Sequence, residues 1–242
     1  MQGIAVFAFV AFLSLSWAWP QALLGQDRPE GWDSMRARWA SGLVWKPTGL
    51  SIHTEELAQD GSILSVEDSL YVVSYPEGPD KPHSELLKVT KDGKDLTAER
   101  RAKAGKRGAS ASGGQPTGVN FPDPVPFSQK ADARLSLAKS RNHPRGVEDL
   151  GYRIADKPAV VGSLRLSAGE PISIDYRLEG LPFYVQSFKG RTLFASLADA
   201  SLVASELSFD VLADIAIIKK HYRFSLTFGS WVKVEARVAS GS

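Results

Sequence analysis

Residues 215–231 read IAIIKKHYRFSLTFGSW, and the alternation inside this stretch decides the fold. Tyr222, Phe224, Leu226 and Phe228 are apolar, while Arg223, Ser225 and Thr227 between them are polar. A strand sends successive side chains to opposite faces, so this spacing predicts a ribbon with one wet face and one apolar face. Helical spacing would scatter the same four side chains around the helix and leave no common stripe to bury. A long antiparallel strand follows, and what covers its apolar face becomes the question on which function turns.

The same period of two runs back through the chain. Leu207, Phe209 and Val211 alternate with Ser208 and Asp210, and residues 191–197 form another short strand. The clearest hairpin joins residues 161–166, through a turn at Ala168-Gly169-Glu170, to Ile172, Ile174, Tyr176 and Leu178 set against Ser173, Asp175 and Arg177. Leu150, Tyr152 and Ile154 repeat the pattern, as do Ala133, Leu135 and Leu137, then Leu50 and Ile52. Residues 63–66, 69–75 and 85–90 add strands around turns at Asp60-Gly61 and Lys91-Asp92-Gly93-Lys94. The total of nine to eleven short strands has the spacing of a sandwich, a barrel or a strongly curved sheet. Helical material is scarce. Trp32, Met35 and Trp39 suit a short helix within residues 27–41, and residues 127–132 offer a second.

Composition sets the broad class. With 43% hydrophobic and 23% charged residues the chain is an ordinary folded protein. A net charge of +2 lacks the basic face that duplex DNA needs, and the basic run at residues 88–107 contains no aromatic on which bases could stack. No nucleic-acid partner is expected; a solvated loop, or a lip touching lipid headgroups in a transient membrane-surface contact, accounts for that run. The chain has no cysteine, which removes disulfides, thiol catalysis, thiolate metal sites and lipid attachment through a lipobox. Residues 1–26 carry no charged side chain and include the apolar run IAVFAFVAFL, so residues 1–25 read as an export signal, cleaved after Ala18 or Gly25. An uncleaved anchor and a mis-assigned start are the competing readings. The remainder, residues 27–238, reads as one domain. Its Gly- and Ser-rich segment 103–120 is a flexible internal loop rather than a boundary, because the roughly 75 residues of strands before it would make a marginal core alone.

Catalytic patterns do not emerge. The sequence holds no G-x-S-x-G elbow, phosphate loop or dinucleotide fingerprint. His53 with Glu55 and Glu56 lacks the paired histidine spacing of a metal site, and the acid pairs Asp92/Asp95 and Glu55/Glu56 sit beside turns or polar strand ends. No catalytic residue, metal or cofactor is expected, although a triad assembled from distant residues stays open.

Three stretches carry a resemblance: KVTKDGKDLTAERRAK (88–103), VVGSLRLSAGEPISIDYRLEGLPFYVQSF (160–188) and IAIIKKHYRFSLTFGSW (215–231). The chain resembles the periplasmic lipoprotein-carrier superfamily, the LolA/LolB-like half-barrels, and within it the uncharacterised outer-membrane lipoprotein-sorting-like members. Its SAGEP turn differs from the Asp-x-x-Thr-Gly turn common in that family. The resemblance implies a mainly β protein, a strongly curved antiparallel sheet forming an incomplete (half) barrel with one or two short helices. It also implies a periplasmic, non-catalytic carrier whose partner is a lipid or an acylated lipoprotein. On that reading the concave face binds the acyl chain through Tyr152, Tyr176, Tyr222, Phe224, Leu226 and Phe228. The alternative is a structural or protein-interaction module with a fully packed core and no ligand.

Overall fold

The computed structural model describes residues 28–106, 122–138, 141–143, 146–215 and 218–234. Residues 1–25, read as an export signal, and most of residues 103–120, read as a flexible loop, lie outside them. A first helix, α1 (Trp32–Gly42), leads into strands β1 (Trp45–Leu57), β2 (Ile63–Ser74), β3 (His83–Lys91) and β4 (Lys94–Asp95), followed by α2 (Thr97–Lys106). An irregular strap, residues 122–131, and a 3-10 turn at Asp132–Arg134 come next. The remaining strands are β5 (Leu135–Leu137), β6 (Arg141–His143), β7 (Val147–Ile154), β8 (Ala159–Ser167), β9 (Glu170–Glu179), β10 (Val185–Ser196), β11 (Leu202–Ile215) and β12 (Ile218–Lys233).

All twelve strands belong to one antiparallel sheet in the order β4-β3-β2-β1-β12-β11-β10-β9-β8-β7-β5, with β6 beside β7. The sheet stays open, with β4 and β5 at its two ends, so the mainly β incomplete barrel expected from the sequence is the architecture observed. Two meanders meet at its centre, where β1 pairs with β12 from Trp45↔Lys233 to Leu57↔His221. Register shifts at Glu56/Leu57, Leu70/Tyr71, Arg165/Leu166, Val185/Ser187 and Leu193/Phe194 bend the ladders, as bulges do.

Several strands are longer than their alternation suggested. β12 runs for 16 residues and β10 begins at Val185, well before Arg191, because ladder pairing continues where side-chain alternation lapses. Along β12 the expected faces are present: Leu226 is buried, and Arg223 and Thr227 are exposed. The turn at Ala168 and Gly169 has positive φ at both residues (50° and 81°), the geometry that closes a two-residue hairpin.

The helix α1 starts at Trp32, later than residue 27, since Gly31 caps it in the left-handed region (φ 81°). It buries Trp32 and Met35 against the sheet. The helix considered for residues 127–132 does not form: the strap turns there, and only Asp132–Arg134 is a 3-10 turn. Residues 103–106, read as the start of a flexible loop, instead complete α2. That helix is held by an Asp95 carboxylate accepting the Thr97 N–H (2.8 Å) and by a Glu99–Lys103 pair one turn apart.

At its C-terminal end α1 touches the β11 backbone. A methyl group added to Gly42 would lie 1.9 Å from the Leu202 carbonyl oxygen, which cannot move without disturbing the sheet. Gly42→Ala is therefore expected to lower stability by about 2 kcal/mol or more, as overpacking does, measured by urea denaturation. A wild-type midpoint would contradict this packing of α1.

Candidate functional site

The inner face is defined by the side that α1 and the strap cover. Register places Tyr152, Gly162, Tyr176, Gly190, Phe209 and Phe224 directly opposite one another, one residue from each of β7 to β12. The two glycines make room for the two tyrosines. A Cβ on Gly162 would sit 2.7 Å from the Tyr152 hydroxyl, and one on Gly190 would sit 2.3 Å from Tyr176 Cζ, so each ring lies flat across the neighbouring strand. Three of the six residues expected to line a ligand site thus fall in one cross-sheet row. The other three lie on the same face of β12: Tyr222 opposite Glu56 and Val211, Leu226 opposite Ile52 and Leu207, Phe228 opposite Leu50.

Surroundings divide the six into two groups. Tyr152, Tyr176 and Leu226 belong to the buried core. The Tyr152 hydroxyl donates to the Pro124 carbonyl at 2.8 Å, tying the strap to β7. Phe127 is fully buried and packs edge-on against Trp32 (6.2 Å) and Trp39 (6.0 Å) and beside Phe194 (5.5 Å). The strap and α1 together seal the inner face over β7 to β10. The sequence reading found too little chain to cover this face, because a proline-rich stretch with no periodicity looks like a connection.

Tyr222, Phe224 and Phe228 are half-buried, as are their neighbours Leu207 and Val211. Interspersed with the buried Phe209 and Leu226, these side chains form a partly covered strip of the inner face over β11 and β12. A charged lip stands beside them, where Lys220 pairs with Glu56 and lies 5.9 Å from the Tyr222 ring centre. The Glu56 bond raises the Lys220 pKa, so its ammonium stays charged at the opening. On the outer face Arg223 pairs with Glu55 (2.7 Å) and His221 with Asp210 (2.9 Å).

The described part of the basic run at 88–107 lies away from this strip. Sheet order places β3 two strands beyond β1, and Arg100 is engaged by Glu67 (2.6 Å) while Arg101 donates to the Leu86 carbonyl (2.8 Å). His53 pairs through Nδ1 with Asp68 at 2.7 Å, which raises its pKa, and no metal-ligating cluster occurs among the described residues.

Burial pushes the Tyr152 and Tyr176 phenols above their ordinary range, so both hydroxyls remain protonated donors. At the head of the strap, burial also pushes the Asp123 carboxyl up from the usual 3.8. The Val125 N–H it accepts (3.0 Å), the Ser128 hydroxyl and Lys130 act in the opposite direction without winning.

No protein-family model matches the sequence, and no curated protein matches it. Among solved structures, the Pseudomonas aeruginosa MucA/MucB complex shows 11% identity over 85% of this chain and 99% of that chain, with a TM-score of 0.21. MucB in complex with MucA(peri) shows 10% identity over 81% and 93%, with a TM-score of 0.20. The di-domain ARO/CYC protein BexL of the BE-7585A biosynthetic pathway shows 14% identity over 74% and 62%, with a TM-score of 0.17. Overlaps this low carry neither a fold nor a function across to this chain.

The raised Asp123 pKa has a sign that can be read in a stability profile. The folded state binds the proton more tightly than the unfolded chain, so its contribution is fully present below the unfolded value and is lost as pH rises through the folded one. Asp123→Asn is expected to flatten that decline and to raise neutral-pH stability relative to wild type, measured by thermal melts from pH 3 to pH 8. A variant less stable than wild type at neutral pH would contradict a strap that carries an unfavourable ionised carboxylate.

Proposed function

We propose that this chain is a non-catalytic, exported binding protein that shelters an acyl chain, free or attached to a lipoprotein, on the inner face of its open sheet. The observation that carries this reading is the half-exposed strip Tyr222, Phe224, Phe228, Leu207 and Val211, continuous with a sealed core and edged by the Lys220 ammonium. Each CH₂ removed from water contributes about 0.8 kcal/mol, so an acyl chain gains affinity there without specific polar chemistry. The uncharged residues 1–26 support delivery to the periplasm. Among the described residues no helix is long and apolar enough to cross a membrane.

A second reading is a protein-interaction module with a packed core, and the strap favours it. Tyr152 at 3% exposure and Phe127 at 0% leave no room for a guest over β7 to β10. Under that reading the edges of the open sheet would recruit another chain.

Organic extraction of the full chain purified from a membrane-containing host, followed by mass spectrometry, separates the two. Acyl lipid recovered from wild type and lost from a folded Phe224→Asp variant supports the carrier. Wild type that yields no lipid and binds no fatty-acid probe overturns it, and a Phe224→Asp variant that unfolds favours the packed core.

A further inference from the structure

Of the lysines and arginines among the described residues, Lys46 alone is buried, with 3% of its surface exposed. Alternation along β1 puts Lys46, Thr48, Leu50 and Ile52 on one side, the side that carries the core. The register with β12 runs without a shift from Lys46↔Val232 to Leu50↔Phe228 and Ile52↔Leu226. Lys46 therefore stands four residues beyond the Leu50–Phe228 row, roughly 14 Å along the strand, where the half-exposed strip of β12 comes to its end.

Its ammonium has neither a hydrogen bond nor an ion pair among the described residues. Burial pushes its pKa down, and the Asp80 carboxylate attracts it only from a distance, without winning. The neighbouring Tyr75 offers no counter-charge: its hydroxyl donates to the Pro47 carbonyl (2.9 Å), and burial pushes the phenol up to about 12, so it stays neutral. At the other end of the strip Lys220 already has Glu56. A cation taken out of water with no partner costs stability, and an unbranched apolar side chain would fill the same place without that cost.

We propose that Lys46 anchors the carboxylate of a free fatty acid whose chain runs along β1 and β12 toward Phe228 and Phe224. The inference rests on the acyl-chain reading and narrows it to guests that end in a single negative charge. One ammonium balances one carboxylate, whereas a phosphate headgroup calls for more than one cation or a guanidinium fork. The acyl chain of a lipoprotein ends in a neutral ester or amide carbonyl and would leave the buried charge without a partner. A carboxylate supplies the missing counter-charge at a place already poor in water, where the attraction between the two is stronger than at an exposed site. Val232, opposite Lys46 and 41% exposed, and Phe228 provide apolar surface for the first methylenes.

Dodecanoate and 1-dodecanol share a chain length and differ in charge, so titration calorimetry of the full chain with each isolates the anchor. The proposal expects wild type to bind dodecanoate roughly thirtyfold more tightly than dodecanol. Lys46→Met, which keeps an unbranched stem and removes the charge, should lose that preference, and Lys46→Arg should retain part of it. A second readout needs no variant: the carbon-13 signal of carboxyl-labelled dodecanoate, followed by NMR as pH falls, should titrate at lower pH when bound to wild type than when free, because the ammonium favours the ionised form. Equal affinity of wild type for the two guests, a preference kept by a folded Lys46→Met, or a bound carboxyl that titrates like the free acid would each overturn the anchor and leave the acyl-chain reading standing. A wild-type chain that binds neither guest would overturn both.

Discussion

The ladder between β1 and β12 is the constraint on which the rest of the structure depends. It joins residues more than 160 positions apart, Lys46 with Val232 and Leu57 with His221, and turns two local meanders into one continuous sheet. Each meander alone would bury one face poorly, and only the joined sheet brings Leu50, Ile52 and Leu226 into the same core as Leu150, Ile154 and Ile174. Such a pairing closes a long loop before its contacts form, so the apolar face of β12 has to repay that entropy. The alternation in residues 222–228 is therefore a requirement of assembly before it is a feature of any binding site.

A sheet of twelve strands presents more inner surface than one eleven-residue helix can hide. The chain meets this in two ways. Tyr152 and Tyr176 lie down over Gly162 and Gly190, which thins the layer that has to be covered, and the strap brings Phe127 into the space between Trp32, Trp39 and Phe194. Both devices act over β7 to β10. Among the described residues neither device reaches Tyr222, Phe224 and Phe228, which pack beside the core and stay partly exposed.

What was legible in the sequence was what depends on local period. The strand character of β12 followed from Tyr222 to Phe228, and the packing side of α1 from Trp32 and Met35 three residues apart. Register was not legible, because whether Gly190 faces Tyr176 depends on pairing between strands and not on either strand alone. The strap escaped notice since its prolines carry no period, yet Pro126 and Phe127 are among the most buried residues. Helix α2 escaped because TAERRAKAGK has good helix formers but no apolar stripe. The exposure of Phe183 was invisible for a related reason, since it depends on where its turn ends in space.

The central claim is the proposal that an acyl chain is taken up on the partly exposed strip over β11 and β12 and not beneath the strap. Intermolecular NOEs between dodecanoate and the labelled aromatic rings of the protein test it most directly. The account predicts contacts from the acyl chain to Phe224, Phe228 and Tyr222, with none to Tyr152 beneath the strap. Saturating dodecanoate that gives no contact to any of these rings, or contacts confined to the outer face, would contradict it.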